Sequence, residues 1–179
     1  MPSLVVLSGN PRTPSKTSAA AVDLAERIAD ASGLAAIAEP VVVELAELGG
    51  AVLDPSDPRT VAARATVAAA SVLVVATPAY KGSYTGLLKA FLDGYGPSSL
   101  EGVAAIPFVV AGSPAHTTLV ADIHLRPLLH EVGAETPFGR LAMLESEVAD
   151  AIARGERFGA WVDARRRLIA ATLAEGVIA

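Results

Sequence analysis

The chain has 179 residues, 52% hydrophobic, 4% aromatic and 18% charged, with no cysteine and a formal net charge of -5. That length suits one domain with a sizeable core, expected to span residues 1–179. The missing thiols exclude a disulfide framework, thiolate metal sites and cysteine nucleophiles, and a negative balance with only 14 Lys+Arg argues against a nucleic-acid partner. Alanine supplies about a fifth of the residues, which signals small-residue helices rather than membrane spans. No window reaches the roughly 18 uninterrupted apolar residues of a transmembrane helix. Met1-Pro2-Ser3-Leu4 carries no basic n-region, so it reads as the lead into a first strand and not as a signal peptide. A cytoplasmic protein with no membrane partner is the expectation.

Four short apolar runs come in order: Leu4–Leu7, Val41–Leu45, Val72–Ala76 and Ile106–Ala111. The first, third and fourth are apolar on consecutive residues, as inner strands of a parallel sheet are when both faces are covered. The second carries Glu44 and belongs nearer an edge; a weaker fifth run at Phe138–Met143 completes the set. Between them, helical spacing predicts helices over Ser18–Ala31, Thr60–Ala70, Tyr84–Asp93 and Leu119–Val132, the last capped by Gly133. Pro127 inside the last stretch should kink or widen it. Glu145–Glu175 reads as one or two surface helices broken at Arg154-Gly155, with Arg165-Arg166-Arg167 on the exposed side. Gly49-Gly50 and Asp54–Pro58 are the most loop-like interior stretch. Strands alternating with helices predict an α/β fold, a doubly wound parallel five-stranded sheet with helices on both faces.

In an open parallel sheet, ligands bind at the carboxyl ends of the strands. The first such segment, Ser8 to Ser18, holds five hydroxyl residues, Arg12, Lys16 and no carboxylate, and runs into a helix. Hydroxyls, backbone N–H groups at a helix start and cations are what a phosphate requires. It lacks the Gly-Lys-Ser/Thr ending of a Walker loop and the Gly-x-Gly-x-x-Gly of a dinucleotide fold. The alternative is a polar turn in which Ser15 or Thr17 merely caps the helix. The second segment, Thr77 to Gly86, holds Tyr80 and Tyr84, two of the three tyrosines, with Pro78, Gly82 and Gly86. It suits a wall for a planar ring, or else an ordinary loop whose tyrosines pack on the neighbouring helix. The third, Gly112-Ser113-Pro114-Ala115-His116-Thr117, opens another helix. The three together describe a site for a phosphate joined to a planar heterocycle.

Ser8-Gly9-Asn10-Pro11-Arg12 with Ser15-Lys16-Thr17 resembles the phosphate loop of the NAD(P)H-dependent FMN reductases. Thr77 to Lys89 with Phe91-Leu92-Asp93 is similar to their second flavin loop and its helix. Gly112 to His116, then Leu125 to Leu129 with Gly133-Ala134, resemble their third. The match runs from Leu4 to about Ala142 and favours the branch serving two-component alkanesulfonate-type monooxygenases. The resemblance implies a flavodoxin-like fold, FMN, NADPH or NADH as hydride source, and a homodimer or homotetramer built partly on the helix containing Arg126. It also implies that Ser8, Arg12, Ser15, Lys16 and Thr17 serve the FMN phosphate. Pro78, Ala79, Tyr80, Lys81, Gly82 and Ser83 would line the ring, with Gly112, Ser113 and His116 at its other edge. Lys16 stands where the family often has Arg, and Ala111-Gly112 where a Gly-Gly pair is common.

Hydride passes from the nicotinamide to flavin N5 through the cofactors' own chemistry, so no catalytic side chain is expected. The expected activity is NAD(P)H-dependent FMN reduction that supplies a partner monooxygenase. The alternatives are an FMN-bound quinone, azo or chromate reductase, or a non-catalytic flavin-binding electron carrier. His116, His124 and His130 lack the i, i+4 pairing of a helical zinc site and have no cysteine beside them, so no metal is expected.

Overall fold

A computed structural model of the chain describes residues 3–33 and 39–178, with side chains to residue 174; Met1 and Pro2 lie outside the described residues. Five parallel strands form one sheet: β1 (Leu4–Ser8), β2 (Val41–Glu44), β3 (Val72–Pro78), β4 (Ala104–Ala111) and β5 (Leu141–Leu144). Their order is β2-β1-β3-β4-β5, the flavodoxin-like arrangement whose switch point lies between β1 and β3. The Glu44-bearing strand is an edge, as its sequence implies. Strand periodicity explains the uninterrupted apolar runs. Leu4 and Val6, Val72 and Val74, and Ile106 and Phe108 feed one core. Val5 and Leu7, Leu73 and Val75, and Ala105 and Val109 feed the other.

Helix α1 (Lys16–Ser32) covers the first face, burying Ala20, Ala21, Leu24, Ala25 and Ile28, and Gly33 ends it in the left-handed conformation. The small side chains let its backbone lie close to the sheet. The other face is covered by α2 (Leu45–Leu48), a 3₁₀ turn at Gly49–Leu53, α3 (Pro58–Ala68) and α4 (Gly86–Leu92), together with a longer helical segment after β4. Gly49-Gly50 is therefore helical, not loop. Asp57 caps α3 by accepting from Arg59 N and Thr60 N, with Pro58 in the first turn.

The segment after β4 departs most from simple periodicity. It starts at α5 (Pro114–Thr118), widens into a π-helical stretch at Leu119–Leu125, and resumes as α6 (Arg126–Glu131). Arg126 N donates five residues back to Ala121 O. Pro127 supplies no N–H and its ring would crowd the carbonyl four residues back; widening of the preceding turn accompanies it. Gly133 follows at φ +96, and a Cβ there would lie 3.0 Å from Pro97 O and Ser98 Cα.

The segment after α6 corrects several expectations. It holds three helices, α7 (Glu145–Ala149), α8 (Ala151–Asp163) and α9 (Arg166–Ile178). Arg154-Gly155 lies inside α8; the breaks fall at Asp150, which caps α8 by accepting from Ile152 N and Ala153 N, and at Ala164-Arg165. Arg154 is an anchor, donating to Asp23 Oδ2 at 3.0 Å and to Val148 O at 2.7 Å. These surface helices also bury one face. Phe158, Trp161, Val162, Ile169 and Leu173 are buried in the first core, and the Phe158 ring meets Phe108 edge-on at 5.8 Å. Arg165 is not on an exposed face: its guanidinium lies 4.3 Å from the Trp161 ring centroid and donates to Phe138 O. Strand β5 begins three residues later than expected, because Thr136 to Gly139 form a turn with Gly139 at φ +69. Among the described residues, no helix is long and apolar enough to cross a membrane.

Candidate functional site

The loop after β1 is held by short polar ties. Gly9 N donates to Ala76 O at 2.8 Å, and a Cβ on Gly9 would come within 2.8 Å of Leu88 Cβ, so only glycine fits. Asn10 Oδ1 accepts from Arg12 N at 3.0 Å while Asn10 Nδ2 donates to Ser15 Oγ at 2.8 Å. Ser15 is the N-cap of α1, and its Oγ also accepts from Ser18 N. With both acceptor positions engaged, the Ser15 hydroxyl proton is left to donate. The first N–H groups of α1 have no partner within the helix, so they too point out as donors. Ser15 caps the helix and still keeps a proton to donate, so the cap does not use up the loop's donors.

Beneath this loop lies a buried polar pair. Ser18 Oγ donates to Glu44 Oε1, and Ser8 and Glu44 are register partners at the ends of β1 and β2. Ser8 Oγ and Glu44 Oε2 are both buried without a hydrogen-bond partner. Burial pushes the Glu44 carboxyl above its ordinary value; the Ser8 hydroxyl beside it works against that shift, and the charge of Glu47 adds to it.

The second loop is a two-residue hairpin. Tyr80 N donates to Ser83 O at 2.8 Å and Ser83 N to Tyr80 O at 3.1 Å, with Lys81 at φ +53 and Gly82 at φ +78. Positive φ at both central residues is the type I′ geometry, which favours Asn or Gly where this chain has Lys81. The hairpin leans on the helix after β4: Ser83 Oγ lies 3.1 Å from His124 Nδ1, and Tyr84 meets the His124 ring edge-on at 6.5 Å. Ala79 N donates to Val110 O at 2.8 Å, and Thr85 caps α4 through Leu88 N. Tyr80 instead faces the first loop, 38% exposed, with the Arg12 guanidinium 5.9 Å from its ring centroid.

These elements enclose a cleft of about 290 Å³. Its walls include Arg12, Ser15, Lys16 and Thr17 from the first loop and Pro78 and Tyr80 from the second. Ser8 does not line it; the residue is fully buried in β1, below the loop. Ala79, Lys81, Gly82 and Ser83 lie along the hairpin beyond the cleft, as do Gly112, Ser113 and His116 after β4. The hairpin and the third loop approach each other at Gly82, where a Cβ would be 4.0 Å from His116 Nε2. Tyr84 packs on the helix instead of joining the cleft. The three histidines have separate neighbours: His116 faces Gly82, His124 meets Ser83, and His130 lies 2.9 Å from Thr136 Oγ1.

Five wall residues lie outside the expected site set: Asn10 and Pro14 of the first loop, and Val110, Glu145 and Val148. Glu145 and Val148 follow β5, and the rule that sites gather at strand carboxyl ends would have found them had it been applied to the weak fifth run.

The model of the family described as NADPH-dependent FMN reductase matches residues 2–147. The chain is 33% identical over 150 residues to the NADH-dependent FMN reductase SfnF of Pseudomonas putida, covering 80% of this chain and 78% of that protein. Among solved structures, the apo form of an NADH:FMN oxidoreductase superposes with a TM-score of 0.76 at 32% identity, over 93% of this chain and 89% of the other. An oxidoreductase from Corynebacterium diphtheriae superposes with a TM-score of 0.78 at 28% identity, over 99% of this chain and 97% of the other. By sequence and by fold, the chain belongs to the NADPH-dependent FMN reductase family, a family of flavodoxin-like oxidoreductases.

Proposed function

We propose that this chain takes FMN as a substrate at the cleft between its first two loops, reduces it with NAD(P)H, and hands reduced FMN to a flavin-dependent monooxygenase. The observation that carries the reading is the donor-rich wall of Arg12, Ser15, Lys16 and Thr17 facing Tyr80 across one cleft. The first loop itself offers no carboxylate to repel a phosphate. Its open donors and the N-terminal end of the α1 dipole favour an anion at the same point.

The residues present fit FMN. The first turn of α1, the Ser15 hydroxyl and the two cations would hold its phosphate, with Pro78 and Tyr80 alongside and the Lys81-Gly82 hairpin and Gly112-Ser113 further along the ring. The flavin supplies the hydride acceptor at N5. The chain's part is to orient it and to present backbone donors from the hairpin where negative charge develops. Ser8 acts from below, through the polar floor of the loop. Self-association through the helix after β4 belongs to the same reading, with Leu119 and Ile123 exposed one turn apart at 36% and 62%.

Steady-state oxidation of NADH or NADPH at varied FMN concentration tests the reading. Saturable dependence on added FMN is expected. Tightly copurifying FMN that turns over only with an added quinone would favour direct reduction of an acceptor instead.

A further inference from the structure

Within the cleft one residue opposes the others in sign. Glu145, the first residue after β5, is exposed and lines the same cavity as Arg12 and Lys16. Its neighbour Glu147 is engaged in capping α7, its Oε2 accepting from Leu144 N at 2.6 Å. Among the described residues Glu145 forms no ion pair, although both cations share its cleft. It is the only carboxylate on that wall.

We infer that Glu145 is a positioning residue that weakens the hold on the FMN phosphate, so that flavin leaves after reduction. This inference rests on the reading that FMN occupies the cleft. A phosphate monoester carries between about one and a half and two negative charges near neutral pH. A cavity of 290 Å³, taken as a sphere, is roughly 8 Å across, about one Debye length at physiological ionic strength. Across about one Debye length the carboxylate still acts on the bound phosphate, though salt weakens the interaction. Arg12, Lys16 and the α1 donors attract the dianion, and Glu145 subtracts from that attraction. Riboflavin, which has no phosphate, is indifferent to the charge of Glu145. A carboxylate that instead accepted hydrogen bonds from the ribityl hydroxyls would serve both flavins alike.

The test is titration of the whole protein with FMN and with riboflavin, followed by quenching of flavin fluorescence. Glu145→Gln is compared with the parent and with Glu101→Gln, which removes the same charge at an exposed position before β4, at the amino end of the strands and away from the cleft. The expected result is a Kd for FMN about three- to tenfold lower in Glu145→Gln, with riboflavin within about twofold and Glu101→Gln unchanged. The gain should shrink in about 1 M salt, where the Debye length falls to about 3 Å. An unchanged FMN Kd would overturn the inference, as would parallel weakening of both flavins or a lowered Tm with no change in binding, which would mark Glu145 as only the acidic start of α7. Arg12→Ala separates the two levels. If it shifts FMN against riboflavin and Glu145→Gln does not, only this inference fails; if neither shifts the ratio, the assignment of the cleft fails with it.

Discussion

The Arg12 guanidinium lies 5.9 Å from the Tyr80 ring centroid, so the cation of the first loop and the aromatic of the second meet across one cleft. The proposed phosphate-binding and ring-facing parts of the site are therefore adjacent through side chains of two different β–α connections. Tyr80 is one of only three tyrosines, and it is the one that faces the cleft.

Tyr80→Ala should weaken FMN and riboflavin alike, because the ring system is common to both. A loss of about three- to tenfold in Kd is expected, the size of one aromatic contact. Flavin titration checks this, and a loss confined to FMN would assign Tyr80 to the phosphate instead.

Ser15→Ala removes the N-cap of α1 and the acceptor of Asn10 together. Stability should fall by about 1 kcal/mol, read as a drop of about 2–4 °C in Tm for a chain of this size. FMN binding should weaken in the same variant. Thermal unfolding and titration together distinguish a purely structural cap, which would lower only Tm.

Two glycines respond oppositely to one added methyl. Gly9→Ala drives a Cβ to 2.8 Å from Leu88 Cβ, and about 1–3 kcal/mol of stability should be lost. At Gly112 a Cβ meets nothing within 4 Å, so Gly112→Ala should leave Tm unchanged. If the flavin ring lies against that loop, the same methyl should nevertheless raise the KM for FMN.

The half-buried Glu44 carboxyl yields a pH dependence. Its pKa is raised in the folded chain by burial, with Glu47 adding to the effect. The folded state therefore binds the proton more tightly than the unfolded state, and stability declines as pH rises from the ordinary carboxyl pKa through the raised one. Glu44→Gln carries no titrating proton, so its Tm relative to the parent should climb from about pH 4 to pH 7. A Tm difference flat across that range would contradict the burial argument.

Much of the architecture was legible because β1, β3 and β4 are apolar on both faces and each of their ends changes abruptly to Gly, Ser, Thr and Pro. The first loop was legible for the same reason: its hydroxyls and cations stand together in the chain. The π-helical widening was half legible, since Pro127 announced a disturbance without giving its form. The C-terminal helices were misread because Gly155 is tolerated inside α8, where Arg154 anchors to Asp23 and Asp150 supplies the cap. Glu145 stayed hidden because the fifth strand is short and its end carries no glycine or proline and only one hydroxyl, Ser146. Ser8 was legible as a strand end but not as a buried residue, which depends on how the loop folds over it.

The most direct measurement of the central claim is the discrimination between FMN and riboflavin by Arg12→Ala. With the phosphate in this cleft, the KM for FMN should rise about tenfold, equivalent to ~1.4 kcal/mol, while that for riboflavin stays within about twofold. Equal losses for both flavins, or no loss for either, would contradict the placement of the FMN phosphate against the start of α1.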